Sequence, residues 1–367
     1  MEKPKQLCYT GPIIGIVVSS KKRGHRRRSP ISNECPPPVW SYSQMVINQF
    51  RRLIVLCLLI SPASLKGEET GTRIPLLDDT RFQQGVVVHA PTPGKHVAEG
   101  KLTPFSAASP TEPLWNIAQW HSRFSLAGAK PETMADGAVR YFDGAKTIAF
   151  YPQAEKNKPD LALGVDAITE YGDNIPQPGE AWPHILLERK LIGRPALTEI
   201  KAVHFHLRFR IPKQEKKPIT DWNPRYHTAQ FLFYMTVQNL HRGNPGYGDY
   251  YWYGIAMYDA RHRHTPGHQA KDSSSEKKKG TGKFIFNLPG KEYFPESAHD
   301  GEWITIDKDV LPQMIQGLES AWNRGYLQDS KEMADYHLSG MNIGWEVTGP
   351  MNVMAEIADF SIEIERK

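Results

Sequence analysis

The run from Val203 to Ile211, VHFHLRFRI, contains the residue types best suited to proton transfer and anion binding. Alternate side chains of a strand face opposite ways, so one face of this run is apolar. The other face carries two imidazoles and two guanidinium groups, those of His204, His206, Arg208 and Arg210. Like charges on one face repel unless they are paired or bind something. The strand therefore predicts either a ligand surface or an ordinary solvated outer face.

Three further segments add candidate ligand-binding groups. The strand after His227 places Gln230 and Tyr234 on its polar face. In YYWYGIAMYD, Trp252, Gly254, Ala256 and Tyr258 are expected on one side, where small residues between aromatic rings leave a shallow groove for a flat ligand. Trp182 and His184 stand just before an apolar strand, a common position for binding residues.

Glu346 follows Trp345 in GWEV, so it points away from the core if Trp345 is buried. A lone glutamate on an outer face is more often a salt-bridge partner, for example of Arg208, than a catalytic acid. We therefore count Glu346 among the substrate-binding candidates.

The histidine spacing also raises the question of a metal. His204 and His206 form an H-x-H pair, which needs a third ligand such as His227. His262, His264 and His268 lie in the polar run 260 to 282, which is expected to be a long flexible loop without a ligand framework. We expect no metal and no other cofactor.

The elements that must position these residues are mostly strands. From Leu114 onward, short alternating runs separated by turn residues predict about a dozen strands, among them 120 to 126, 199 to 211, 229 to 237, 250 to 258, 341 to 347 and 355 to 364. Residues 310 to 324 instead show helical spacing, with Asp309 able to cap the start and Gly325 past the end. The pattern predicts an all-β, jelly-roll β-sandwich of antiparallel strands with one amphipathic helix.

The N-terminal part of the chain resembles a secretory leader placed behind an extension. Met45 is followed by Arg51, Arg52 and the apolar run Leu53 to Ile60, an order typical of a signal peptide. Eight apolar residues are too few to span a bilayer. We expect residues 1 to 44 to be a spurious extension, 45 to 67 a signal peptide, 68 to 113 an extended proline-rich lead-in, and 114 to 367 the sandwich.

Composition narrows the class of protein. Residues 68 to 367 contain 34 Lys and Arg against 38 Asp and Glu, a net charge of −4, which leaves no basic field to attract nucleic acid. All three cysteines, Cys8, Cys35 and Cys57, precede Glu68. We expect a secreted or periplasmic monomer without disulfides or a membrane span, held together by its own core.

Aromatic strands, the absence of cysteine and the closing run GWEVTGP…AEIADFSIEIE resemble the concanavalin A-like lectin/glucanase superfamily at the level of the fold, over about 114 to 367. That superfamily includes glycoside hydrolases, polysaccharide lyases and sugar-binding modules. The chain departs from the superfamily's motifs. Glu356 and Asp359 do not have the E-x-D-x-x-E spacing and are expected on opposite faces, and the Q-x-H and Y-x-K-x-G-x-Y motifs of alginate lyases are absent.

The resemblance implies a carbohydrate-active protein that binds a polysaccharide or oligosaccharide on the concave sheet face. No carboxylate pair stands out for hydrolysis, which favours a lyase of uronate-containing polysaccharide. Arg208 and Gln230 are then expected to neutralise the sugar carboxylate, and His206 or Tyr234 to act as acid or base. His204, Arg210, Trp182, His184, Trp252, Tyr258 and Glu346 complete the substrate-binding set. A non-catalytic binding module and a glycoside hydrolase are the alternatives.

Overall fold

A computed structural model describes residues 72–94, 96–104, 112–152, 158–273 and 280–367 of the chain. The expected N-terminal extension and signal peptide lie outside these residues. No helix in the described part of the chain is long and apolar enough to cross a membrane.

Strands dominate the described residues. The strands are β1 Ile74–Pro75, β2 Val86–His89, β3 Ala98–Leu102, β4 Trp115–Ala118, β5 Pro131–Thr133, β6 Val139–Phe142, β7 Lys146–Phe150, β8 Leu161–Asp166, β9 His184–Lys190, β10 Ile200–Lys216, β11 Ala229–Asn239, β12 Tyr250–Asp259, β13 His268–Lys271, β14 Phe284–Asn287, β15 Ile304–Asp309, β16 Tyr336–Val347 and β17 Met351–Arg366. The two α-helices are α1 Ala167–Tyr171 and α2 Leu311–Asn323.

The strands form two sheets. Sheet A has the order β15-β10-β17-β8-β7-β6-β5, with β1 also paired to β17. Sheet B has the order β13-β14-β12-β11-β16-β9-β4-β2-β3. The fold is a jelly-roll β-sandwich, as the sequence predicts. Its pairing is antiparallel except at β2–β4 and β12–β14, which are parallel.

Alternation along the long strands produces the core between the sheets. Phe205 of β10 and Phe233 of β11 are fully buried, and their rings meet edge to face across the sandwich with centroids 4.8 Å apart. Within sheet B, the buried ring of Trp345 of β16 packs against that of its strand neighbour Phe231, with centroids 5.2 Å apart. The apolar face predicted for the VHFHLRFRI strand is therefore confirmed, as is the inward direction of Trp345.

The predicted helix is also confirmed. Helix α2 buries Leu311, Met314, Leu318 and Ala321, which share one face. Asp309 helps to fix its start, because its Oδ1 accepts hydrogen bonds from the backbone of Leu311 at 3.0 Å and of Val203 at 2.9 Å.

Other boundaries differ from the sequence-based expectation. The strand expected at 120 to 126 lies earlier, at β4. Gln119 explains this, because its buried side chain donates to the carbonyl of His89 and accepts from the backbone of Leu126, in place of strand pairing. Strands β2 and β3 of the proline-rich lead-in join sheet B, and the expected loop 260 to 282 contains β13.

Candidate functional site

The central strands of sheet B bring three polar residues side by side. Glu346 of β16 lies in register with Gln230 of β11 on one side and His184 of β9 on the other. Trp345, the residue next to Glu346, is buried between the sheets, so this polar row faces outward. Three groups that are far apart in the sequence therefore share one surface, the outer face of sheet B.

Glu346 lies against an aromatic stack. The indole Nε1 of Trp182 donates to Glu346 Oε2 at 3.2 Å, and His184 Nε2 lies 3.6 Å from the same oxygen. The rings of Trp182 and His184 are stacked, with centroids 5.9 Å apart and planes 19° apart. The Glu346 side chain is 25% exposed, so its carboxylate remains open to solvent and to a ligand. We call these three residues the Glu346 cluster.

A second cluster on this face consists of His89, His96 and Glu188, and the sequence analysis did not identify it. The Nδ1 atoms of the two histidines are 3.4 Å apart. Glu188 Oε2 lies 3.5 Å from His96 Nδ1 and 4.0 Å from His89 Nδ1. Burial raises the pKa of Glu188 to about 7. We call this the His89 cluster.

Trp120 connects the two clusters. Its ring lies 6.3 Å from that of His96 and 5.9 Å from that of His184, centroid to centroid. Two buried nitrogens here, Trp120 Nε1 and His184 Nδ1, make no hydrogen bond with the residues that the structure describes. The outer face of sheet B thus carries a strip of aromatic and polar side chains that runs from the His89 cluster to the Glu346 cluster.

Farther along the same face, the groove expected at Gly254 is filled. A Cβ at Gly254 would lie 2.5 Å from Tyr234 Cε1 and would also collide with Asn287 Oδ1, so these two side chains occupy the space. Asn287 Nδ2 donates to the Tyr234 hydroxyl at 3.3 Å, and burial raises the pKa of that hydroxyl well above its ordinary value. Tyr234 therefore keeps its proton firmly, which weakens its assignment as an acid or base. The Trp252 ring packs edge-on to it at 5.9 Å.

Tyr258 is not on the outer face, which corrects the expectation that it could stack on a sugar. A register shift between Phe231 and Leu232 pairs Tyr258 with the core residue Phe231. The Tyr258 ring is 2% exposed and packs against Trp345, at 5.8 Å. The bulge reverses the alternation that the sequence suggests after Ala256.

The His/Arg strand belongs to the other sheet. β10 lies in sheet A between β15 and β17, so His206 and Arg208 do not share a surface with Gln230 and Tyr234 of sheet B. The four expected catalytic residues therefore do not form one site.

Each of the four predicted His and Arg residues of β10 faces an acid of a neighbouring strand. The pairs are His204 with Glu365 at 2.9 Å, His206 with Asp307 at 3.8 Å, Arg208 with Asp359 at 2.9 Å and Arg210 with Glu356 at 2.6 Å. The expected pairing of Arg208 with Glu346 is replaced by the pairing with Asp359. A bulge at Asp359, where φ is +52°, also turns Glu356 and Asp359 to the same face, against expectation. The outer face of β10 therefore carries side chains that are paired with acids of the neighbouring strands.

The expected histidine metal ligands are dispersed. His227 is buried, and its Nε2 lies 2.8 Å from the carbonyl of Pro176, away from the H-x-H pair of sheet A. Among the described residues, the His89 cluster is the one group of three side chains with metal-ligand geometry. Its sequence signal was weak, because His89 and His96 flank a proline turn and Glu188 ends an apolar run.

No family model matches the chain. No curated protein matches it either.

Several solved structures are similar to this chain in fold. An endoglucanase from Rhodothermus marinus is 10% identical, covers 65% of this chain and 97% of its own, and gives a TM-score of 0.32. A family 12 xyloglucanase from Bacillus licheniformis is 7% identical, and the match covers 64% of this chain and 97% of the xyloglucanase, with a TM-score of 0.35. A family 11 xylanase from Neocallimastix patriciarum is 8% identical, and the match covers 65% of this chain and 95% of the xylanase, with a TM-score of 0.31. These similarities concern the fold alone.

Proposed function

We propose that this protein is carbohydrate-active, that a polysaccharide chain binds along the outer face of sheet B, and that a glycosidic bond is hydrolysed beside Glu346. The observation that carries the proposal is the Glu346 cluster, in which a partly exposed carboxylate lies against stacked aromatic rings. Aromatic faces bind the apolar faces of sugar rings. Glycoside hydrolysis uses a pair of carboxyl groups that flank the scissile bond, and Glu346 supplies one of them.

Hydrolysis is favoured over elimination by the separation of the two sheets. Elimination from a uronate needs unpaired cations beside the sugar carboxylate and a base for the adjacent proton. Arg208, which was expected to neutralise that carboxylate, and Arg210, which was expected to bind substrate, lie on sheet A and are paired with Asp359 and Glu356. The strip on sheet B contains the carboxylate instead.

The test is an assay of the chain from Glu68 to Lys367 on a panel of neutral and acidic polysaccharides. Reducing ends report hydrolysis, whereas reducing ends together with ultraviolet absorbance report elimination. Glu346→Gln should lower the rate of hydrolysis by about 100-fold or more while binding is retained, because it removes a proton-transfer group but keeps the shape of the side chain. Trp182→Ala should weaken binding itself, by about 10-fold, through loss of the stacking surface.

Two variants of sheet A serve as controls. Glu363→Gln changes a glutamate of β17 on the opposite side of the sandwich, and Trp303→Ala removes an aromatic ring there. Both should leave activity and binding unchanged. Elimination products would overturn hydrolysis, and binding without any product would make this a carbohydrate-binding module. Neither binding nor product on any polysaccharide would overturn the proposal as a whole.

A further inference from the structure

We propose that His89, His96 and Glu188 bind a divalent transition-metal ion, with Zn²⁺ the best match, on the outer face of sheet B. The inference goes beyond carbohydrate binding. Only its last step, the role of the ion toward substrate, rests on the proposed function.

The geometry of the donor atoms carries the inference. The separations of 3.4, 3.5 and 4.0 Å between the two Nδ1 atoms and Glu188 Oε2 define a triangle. The circle through its corners has a radius of about 2.1 Å, so one point lies about 2.1 Å from all three donors. Zinc binds imidazole nitrogen at about 2.0 to 2.1 Å and carboxylate oxygen at about 2.0 to 2.2 Å. The three atoms are thus already spaced as the ligands of one ion.

The fold explains how three distant residues meet there. His89 ends β2 and Glu188 lies in β9, with β4 between them in the sheet. His96 follows the turn between β2 and β3, which brings its imidazole back over His89 with ring centroids 5.2 Å apart and nearly perpendicular. The sheet register therefore places His89 and Glu188 near each other, and the turn at residues 91–94 precedes the return of His96 to them.

The charges around the donor set favour a cation. The Glu188 side chain is 16% exposed, and its ion-pair contacts within the described residues are with the two histidines and with no lysine or arginine. A largely buried carboxylate with no lysine or arginine partner is costly unless another positive charge lies beside it. A divalent ion satisfies all three groups at once, because it binds ionised carboxylate and neutral imidazole.

Two histidines and one glutamate are also a chemically selective donor set. Imidazole nitrogens suit zinc, copper, iron and nickel, whereas calcium and magnesium prefer oxygen ligands throughout. Three protein ligands leave coordination positions open, as in catalytic zinc sites. Trp120 packs between His96 and His184, so one aromatic ring separates the His89 cluster from the Glu346 cluster. We infer that the open positions take an oxygen atom of the bound carbohydrate.

The experiment measures metal binding directly, so it does not depend on enzyme activity. The protein is treated with a chelator, dialysed, and titrated with Zn²⁺ by calorimetry, and with Co²⁺ by visible absorption. One ion should bind per chain, and the Tm should rise with Zn²⁺ because the ion binds the folded state. His96→Ala and Glu188→Gln should each weaken Zn²⁺ binding by more than about 100-fold.

The variants are chosen so that folding is preserved. The His96 side chain is 57% exposed, and Gln is close in shape to Glu. His262→Ala, an exposed histidine of the loop before β13, is the matched control and should bind Zn²⁺ normally. Absence of Zn²⁺ and Co²⁺ binding, or binding that survives both His96→Ala and Glu188→Gln, would overturn the site. Polysaccharide binding that is identical with and without the ion would overturn the role toward substrate while the titration still establishes the site.

Discussion

The guanidinium groups of Arg208 and Arg210 both lie 4.9 Å from the centre of the Trp303 ring, and each pairs with an acid of β17. Their residue types suggested an anion-binding surface, but the acids of β17 neutralise the charges of the two arginines. Glu346, which was expected among the substrate-binding residues, lies against Trp182 and His184 rather than Arg208. At the scale of single residues, function follows from the contacts of a side chain rather than from its type.

Asp259 and Arg261 provide a prediction at this scale. Arg261 donates to both carboxylate oxygens of Asp259, at 2.9 and 2.6 Å, and the Asp259 residue is 2% exposed. Arg261→Met should therefore destabilise the fold by about 3–5 kcal/mol at pH 7, because it leaves a buried charge without its partner. Urea unfolding at pH 7 measures the loss. A change below about 1 kcal/mol would show that the pair contributes no more than a surface salt bridge.

The same pair predicts the sign of a pH effect. Burial alone would raise the pKa of Asp259, but the hydrogen bonds and charge of Arg261 outweigh burial and lower that pKa below its ordinary value. A carboxyl with a lowered pKa in the folded state stabilises the fold above its unfolded pKa of about 3.9. That contribution should disappear as the pH falls through the lowered value. Unfolding experiments between pH 7 and 2 should show an acid-dependent loss of stability that is smaller in Asp259→Asn.

At the scale of elements, irregularities in the strands decide which residues reach the site. The register shift between Phe231 and Leu232 turns Tyr258 inward, and the bulge at Asp359 turns that carboxylate toward Arg208. Alternation in the sequence predicts which side chains of β10 and of most of β11 face the core. It does not indicate the residue at which a strand bulges.

Gly254 in β12 gives a prediction at the scale of the element. Its Cα lies under the Tyr234 ring and the Asn287 side chain, and a Cβ would be 2.5 and 2.7 Å from two atoms of that ring. Gly254→Ala should therefore lower stability by about 1–3 kcal/mol through overpacking. Gly128→Ala is the control, since a Cβ there meets nothing within 4 Å. Equal thermal unfolding of the two variants would show that Tyr234 moves aside freely.

At the scale of the whole molecule, the two sheets present different outer surfaces. Sheet A carries a row of paired charges along β10, and sheet B carries the aromatic strip with the Glu346 and His89 clusters. One long interior core supports both surfaces, and the two cannot act on the same ligand because they face away from each other.

The leader gives a prediction for the whole chain. We propose that translation from Met45 yields an exported protein that is cleaved near Glu68, because Arg51 and Arg52 precede a short apolar run and then small residues. The test is to express residues 45 to 367 in a secreting bacterial host. N-terminal sequencing of the exported protein then locates the cleavage site. Retention of the uncleaved chain in the cytoplasm would contradict the proposal.

The sequence by itself determined the fold class, helix α2, the apolar faces of the long strands and the inward direction of Trp345. These features depend on local periodicity, which places apolar side chains on one side of an element whatever its neighbours are. It also supplied several members of the candidate strip, namely Trp182, His184 and Glu346, as separate residues without a common site.

Only the tertiary structure decided which strands are neighbours. In the structure, the His/Arg strand lies in the sheet opposite Gln230 and Tyr234. The donor atoms of His89, His96 and Glu188 lie within 4.0 Å of one another, with β4 between β2 and β9. The physical reason is that sheet order arises from long-range packing of the whole chain. A residue's own sequence neighbours carry no information about the strand beside it, so a site built from separate strands can be recognised only after folding.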